Sequence, residues 1–298
     1  MGTRLATLPI GANLAVFGAP HGTPYPRINN RVHEKSANAF RRALKEDAEW
    51  LHHWDFDFDG LLIPDESFKA VDLGNLATKP TSGKINRSLI ETATRNCLEA
   101  GAVPIMFGGD DSTPIPFLKA FSGERPITVL QIDAHIDWRD ERYSEHLGYS
   151  STMRRASEMP HIWRIVQVGA HGLGSAREEE VTAARKWGAR LVPASTIFKH
   201  GIQSALTHIE EGSDCVICLD LDVLDAAAMP AVAHPSPGGL SFTHITDLFA
   251  GIAAKARIAG FSMVEFTPAK DSHGTAAYTA ARIACHVIGH VARNQKRA

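Results

Sequence analysis

The sequence predicts an α/β protein with a mainly parallel sheet covered by helices on both faces. Three observations carry this expectation. Short β-rich runs alternate with longer helical ones, no repeat, low-complexity linker or charge block interrupts them, and carboxylate-rich motifs recur where strand-like runs end. The ends of parallel strands are where such sheets bind ligands. A length of 298 residues suits one large domain, expected to span 1–298.

In chain order, the strand NLAVFGA precedes a helical SANAFRRALKEDAEWL, the helical IETATRNCLEAG precedes the strand AVPIMFGG, and the strand PITVLQID precedes a helical STMRRASEM. WRIVQVGA is followed by AREEEVTAARKWG, RLVPA by a helical TIFKHGIQSALTHIEEG, and DCVICLDLD by HITDLFAGIAAKA. The strand FSMVEF and a final helix TAAYTAARIACHVIGHVARN close the series.

Composition narrows the partners. With 31 basic and 33 acidic residues and a pI near 6.7, there is no charge excess to favour nucleic acid or an anionic membrane, which leaves a small molecule. Cys97, Cys215, Cys218 and Cys285 are scattered through apolar segments, as unpaired cytosolic thiols are. Cys215 and Cys218 form a CxxC, but within a strand residues three apart face opposite ways, which argues against a redox or zinc role. The N-terminal MGTRLATLPIGANLAV lacks the apolar core of a signal peptide. No stretch approaches the ~20 apolar residues of a membrane span, so a soluble cytoplasmic protein is expected.

The chemistry sits in the acidic motifs. In QIDAHIDWRD, Asp133, His135 and Asp137 are spaced two apart, and if the strand continues through them its period of two aims all three at one point. Asp220 and Asp222 in DLDVLD repeat that spacing, GGDDS adds Asp110 or Asp111, and EFTPAKD adds Glu265. Such a grouping of carboxylates is costly without cations or partners to balance it. It supplies enough ligands for two divalent cations with shared carboxylates. A mainly oxygen set with one imidazole suits Mn²⁺ best, with Ni²⁺, Co²⁺ or Fe²⁺ also compatible. Two metals holding one water lower its pKa and deliver hydroxide to an electrophilic carbon.

DAHID, DLDVLD followed by PSPGGL, EFTPAKD with TAAYTA, and the early FGAPHGTPY together resemble the ureohydrolase family of arginases, agmatinases and guanidino-acid hydrolases, from about residue 13 to the C-terminus. The resemblance implies an arginase-like three-layer α/β/α fold and a bridged dimanganese centre. It also implies hydrolysis of a guanidinium to urea and an amine, usually by trimers or hexamers. Carried over, it makes Asp133 and Asp220 bridging ligands, with His135 and Asp222 completing one site. Asp137 completes the other and accepts a hydrogen bond from the nucleophile, and Glu265 holds the guanidinium.

Three departures from the family pattern bear on function. The usual GGDHS reads GGDDS, which places Asp111 where a histidine is expected and leaves one negative charge in excess over two dications. An added anion opposes deprotonation of bound water. The loop WRDERYSEHLGYSS lacks the usual asparagine or His-Gly pair; His146, with Tyr149 as alternative, is the candidate proton shuttle, and Arg139 the candidate for a substrate carboxylate. In the loop after DLDVLD, Ala231 and Ala233 replace glycines and His234 enters beside the expected pocket.

The expectation is therefore a binuclear metal-dependent amidinohydrolase acting on a small guanidino or amidino compound, agmatine-like or a guanidino acid, in a homo-oligomer. The competing expectation is a weak or inactive relative serving as a structural partner in a mixed oligomer. A deacetylase of the related metallohydrolase fold would need a single zinc and a histidine pair that the chain lacks.

Overall fold

The apolar runs of the sequence become strands, buried along most or all of their length except in the short edge strand Arg190–Val192. In the computed structural model, which describes residues 11–294 except 46 and 124, they are β1 (Leu14–Ala19), β5 (Val103–Gly108), β6 (Ile127–Ile132), β7 (Ile162–Val168), β8 (Arg190–Val192), β9 (Asp214–Asp220) and β10 (Arg257–Val264). Two further pieces were not anticipated: β4 (Ala70–Asn75) and a small antiparallel hairpin of β2 (Trp54–Asp55) and β3 (Gly60–Leu61). The first ten residues, which hold most of the segment read for an export signal, lie outside the described residues.

Eight strands form one sheet in the order β4-β1-β5-β10-β9-β6-β7-β8, and every pairing is parallel. The sheet is thus wholly parallel where a mainly parallel one was expected, and the crossovers are supplied largely by helices. One face is covered by α1 (Ser36–Ala43), α6 (Ala194–His200), α7 (Gln203–Leu206), α8 (Phe242–Lys255) and α9 (Thr275–Asn294), whose Phe40, Ile197, Leu206, Phe249 and Ile283 share one apolar cluster. The other face carries α2 (Gly83–Glu99), α3 (Pro114–Lys119), α4 (Thr152–Ala156) and α5 (Glu178–Trp187), with Ile90, Phe117, Met153 and Ala184 in a second cluster. Two separate cores on opposite faces of one sheet make the three layers. Cys215 belongs to the first core and Cys218 to the second, as their spacing in a strand requires, and burial holds each thiol up at about 12.

Several helices are shorter than the sequence pattern suggests, for local reasons. α1 stops at Leu44, whose φ of −94° and ψ of 5° leave the helical region, before a short 3₁₀ turn at Asp47–Trp50. The run TIFKHGIQSAL breaks into α6 and α7 at Gly201, which takes φ +72°, a conformation side-chain-bearing residues rarely adopt. Among the described residues no helix is long and apolar enough to cross a membrane. What matters for function is that β5, β10, β9 and β6 are adjacent at the centre of the sheet. Their carboxyl ends carry GGDDS, EFTPAKD, DLDVLD and DAHID, so four motifs far apart in sequence open onto one place.

Candidate active site

Parallel strands end their carboxylate-bearing loops on the same edge of the sheet, and adjacency does the rest. β6 ends at Ile132, so Asp133, His135 and Asp137 lie in the loop beyond it. Their convergence comes from a turn rather than from strand pleat. Asp137 sits at φ +45°, and Asp133 Oδ1 accepts a hydrogen bond from the His135 backbone N–H at 2.6 Å. Asp222 likewise lies in a 3₁₀ turn, Leu221–Val223, capped by Asp220 Oδ1, which accepts from Asp222 N–H at 2.8 Å. Glu265, first residue past β10, is held at φ +67°. Left-handed backbone at two bulky acidic residues is costly and concentrates at functional sites.

Two groups of donor atoms result. Asp133, His135 and Asp222 bring donors within 4.8 Å of one another, as do Asp111, Asp133 and Asp220. Asp133 belongs to both. His135 Nδ1 lies 3.3 Å from Asp133 Oδ1 and 3.1 Å from Asp222 Oδ2. Of the two aspartates in GGDDS, Asp111 joins a group; Asp110 Oδ1 is taken up by the Ser112 hydroxyl and backbone N–H. Asp137 is in neither group but stands beside them, because the Gln131 side-chain amide donates to both Asp133 Oδ2 (2.8 Å) and Asp137 Oδ2 (2.7 Å).

These carboxylates crowd one another in a buried setting. Burial, then the charges of Asp137 and Asp133, push Asp111 well above the ordinary carboxylate range. Burial and Asp133 do the same to Asp137, and burial followed by Asp222 does it to Asp220. Asp222 is also raised, by burial and by Asp133. Asp133 itself is lowered, because hydrogen bonds from His135 outweigh its burial. The same bonds, with those to Asp222, overcome burial to raise His135 to about 12. Asp111 Oδ2 is buried with no hydrogen-bond partner. A cluster that cannot ionise fully on its own, with an unpartnered buried oxygen inside it, fits a pair of divalent cations.

The site opens into a cavity of about 520 Å³ lined by Asp111, His135, Asp137, Asp220, Asp222 and Glu265. Glu265 Oε1 accepts from the Asp111 backbone N–H at 3.0 Å, and Oε2 faces His33 Nε2 at 3.4 Å. His33 Nδ1 is 2.9 Å from the Phe266 carbonyl, which can only accept, so Nδ1 carries the hydrogen there. Burial raises Glu265 to about 7.

The residues expected to handle substrate are distributed unevenly. Arg139 and exposed His234 both line the cavity, but the Arg139 guanidinium donates to Glu180 Oε1 at 3.1 Å, a carboxylate 41 positions away rather than its neighbour Asp140 or Glu141. His146 is displaced from the expected shuttle position: it is not among the cavity-lining residues, its side chain is 53% exposed, and Nδ1 lies 3.1 Å from the Asp140 carbonyl. Tyr149 does line the cavity. The loop bearing Ala231 and Ala233 is fixed by the Thr267 N–H to the Ala231 carbonyl at 2.7 Å and by Lys270 Nζ to the Val232 and Ala233 carbonyls.

Sequence reading missed His33, Gln131, Gln167 and Arg142. The glutamines carried a usable signal, being amides in otherwise apolar strands: Gln167 Nε2 donates to the Ile136 carbonyl at 2.7 Å and to Gln131 Oε1, fixing which way the Gln131 amide points. Such outer partners orient ligands.

A model of the Arginase family matches residues 12–289 of this chain. The N(1)-aminopropylagmatine ureohydrolase of Thermus thermophilus is 31% identical over 205 residues, which is 68% of this chain and 67% of that protein. The guanidinobutyrase of Pseudomonas aeruginosa is 26% identical over 226 residues, covering 74% of this chain and 70% of that one. In structure, the chain resembles proclavaminate amidino hydrolase from Streptomyces clavuligerus, with a TM-score of 0.80 at 24% identity over 97% of this chain and 94% of the other. Formiminoglutamase from Trypanosoma cruzi, solved with Mn²⁺, gives a TM-score of 0.79 at 20% identity, covering 94% of each chain. At these identities the structural likenesses establish the fold.

Proposed function

This chain belongs to the arginase family, and from that premise we propose that it hydrolyses a C–N bond of a small guanidino or amidino compound with the help of two divalent cations, Mn²⁺ best suited. The observation that carries the reading is the pair of donor groups sharing Asp133, set beside Glu265 in one cavity. A single sheet whose strands are drawn from residues 14 to 264 supports treating the chain as one catalytic unit, the expected domain of 1–298.

Asp111, Asp133, His135, Asp137, Asp220 and Asp222 would hold the cations. When bound, such a pair makes water acidic enough to act as a nucleophile at neutral pH. Glu265 receives the planar guanidinium or amidinium, a fork that matches a carboxylate in two parallel hydrogen bonds. Its Oε1 is already aimed by the Asp111 backbone and its Oε2 by His33, so the substrate meets a fixed acceptor. Asp137, turned inward at φ +45° and steadied by Gln131, accepts a proton from the attacking water and returns it to the leaving nitrogen. The new C–O bond forms as the C–N bond breaks, giving urea and an amine from a guanidino substrate.

The direct test is product analysis. The manganese-loaded protein should release urea from at least one member of a panel of guanidino amines and guanidino acids, or the corresponding amide from an amidino compound. Absence of product across the panel overturns the reading. Asp111→His is expected to strengthen metal retention and move the pH profile of kcat to lower values, because it removes one negative charge from beside the water. An unchanged profile with full metal content in both proteins removes Asp111 as a determinant of acidity.

The raised carboxylates also tie stability to pH. An acid whose folded pKa exceeds its unfolded value binds its proton more tightly when folded, so its contribution is present below the ordinary carboxylate range and lost as pH rises through the folded pKa. His135, raised from 6.5 to about 12, has the same sign over its own window. The metal-stripped protein should therefore lose Tm relative to the manganese-loaded protein as pH goes from about 5 to about 8. A Tm difference that stays constant over that range would show that these groups do not titrate against cations.

A further inference from the structure

The cavity wall opposite in charge to the carboxylates is small and specific. Among the described residues lining the cavity, two are arginines, and Arg139 is committed to Glu180. Arg142 is not committed to any carboxylate among the described residues. Its guanidinium carbon lies 5.5, 5.2 and 5.7 Å from the ring centroids of Tyr25, Tyr143 and Tyr149, and Nη1 donates to Tyr149 Oη at 2.9 Å. Aromatic faces attract a cation but offer no lone pairs, so most of the five guanidinium N–H donors are left for another acceptor.

The nearby carboxylates are turned to other uses. Glu145, which pairs with Arg142 backbone to backbone, spends Oε1 on the Leu147 N–H at 2.8 Å, and Asp140 is held by Arg155 at 2.6 Å. The cage is rigid. Tyr143 and Ser144 sit at φ +54° and +61° in the turn closed by Arg142 and Glu145, and Tyr25 packs edge-on to Tyr149 at 4.7 Å. Tyr25 Oη accepts from the Ser150 N–H at 3.2 Å, and a Cβ on Gly148 would stand 2.2 Å from the Tyr25 ring. Position 148 thus admits only glycine if Tyr25 is to stay.

We propose that Arg142 determines substrate class by receiving a carboxylate on the tail of the substrate, so that the site takes guanidino or amidino acids in preference to guanidino amines. This rests on the reading of the site as an amidinohydrolase. Tyr149 stands between the two ends: its hydroxyl accepts from Arg142, and it lines the same cavity as Glu265. A substrate with a cationic head at Glu265 and an anionic tail at Arg142 pairs both ends. A tail ammonium would instead meet a like charge.

The test compares guanidinobutyrate and guanidinopropionate with agmatine, using the manganese-loaded wild type, Arg142→Gln and Arg142→Glu. The wild type should prefer a guanidino acid by kcat/KM. Arg142→Gln should raise KM for that acid roughly 10- to 100-fold, as loss of a charge-assisted pair predicts, and lower KM for agmatine, whose tail ammonium no longer meets a like charge. Arg142→Glu should reverse the preference, a gain that misfolding cannot produce. Equal use of acids and agmatine by the wild type, or an unchanged KM in Arg142→Gln, overturns the proposal while leaving the hydrolase reading intact. If no protein releases urea, calorimetry with the same acids decides: binding that Arg142→Gln abolishes keeps Arg142 in its role although hydrolysis fails, and absence of binding overturns it.

Discussion

Asp133→Ala is expected to lose both cations, not one. Asp133 is the residue common to the two donor groups, and one of its oxygens lies within 3.3 Å of His135 Nδ1. Removing it takes the shared ligand from both sets at once, leaving His135 and Asp222 of one and Asp111 and Asp220 of the other. Metal per chain after dialysis should fall from about two to near zero, with turnover falling to background. Asp133 also accepts from the Gln131 amide and the His135 backbone N–H, so a thermal melt of the stripped variant beside the stripped wild type separates loss of metal from loss of fold: a cooperative melt in the variant assigns the loss to the missing ligand. Two ions retained per chain would end the shared role of Asp133.

Glu265→Gln should do the reverse, keeping the metals and losing the reaction. Glu265 stands in neither donor group, and its oxygens are directed by the Asp111 N–H and by His33. Leaving a buried substrate cation without its carboxylate costs about 3–5 kcal/mol, which at about 1.4 kcal/mol per tenfold is a roughly 10²- to 4 × 10³-fold loss in kcat/KM. Metal content falling in parallel with activity would make Glu265 a ligand instead.

The placement of the site was readable from the chain because carboxylates at strand ends need no knowledge of strand order to be noticed. β5, β6, β9 and β10 are long apolar runs, and each announces its end with an acidic residue. What escaped notice depends on the order of the strands or on loop dihedrals. β4 is an edge strand with little buried surface, so AVDLGN carries only a weak pattern. His33 comes from a 3₁₀ segment with no motif, and meets Glu265 only because residues 232 positions apart are folded together. Arg142 was hidden by Arg139, three positions earlier in the same loop; only the fold tells that Glu180 takes one arginine and tyrosines surround the other. The left-handed backbone at Asp137 and Glu265 likewise has no compositional mark.

The strand order has a consequence for how the protein is made. β10 is the last strand synthesised, yet it lies between β5 and β9 in the middle of the sheet. Before it is available, the chain can build only two half-sheets, β4-β1-β5 and β9-β6-β7-β8, with an unfilled gap between them. Asp133, His135 and Asp222 all follow strands of the second half, so their group can assemble there early. Asp111 follows β5 in the first half and can reach Asp133 and Asp220 only after β10 closes the gap, bringing Glu265 with it. The two donor groups thus stand differently to the final strand: Asp133, His135 and Asp222 belong to one half-sheet, whereas Asp111 joins Asp133 and Asp220 across the place that β10 fills.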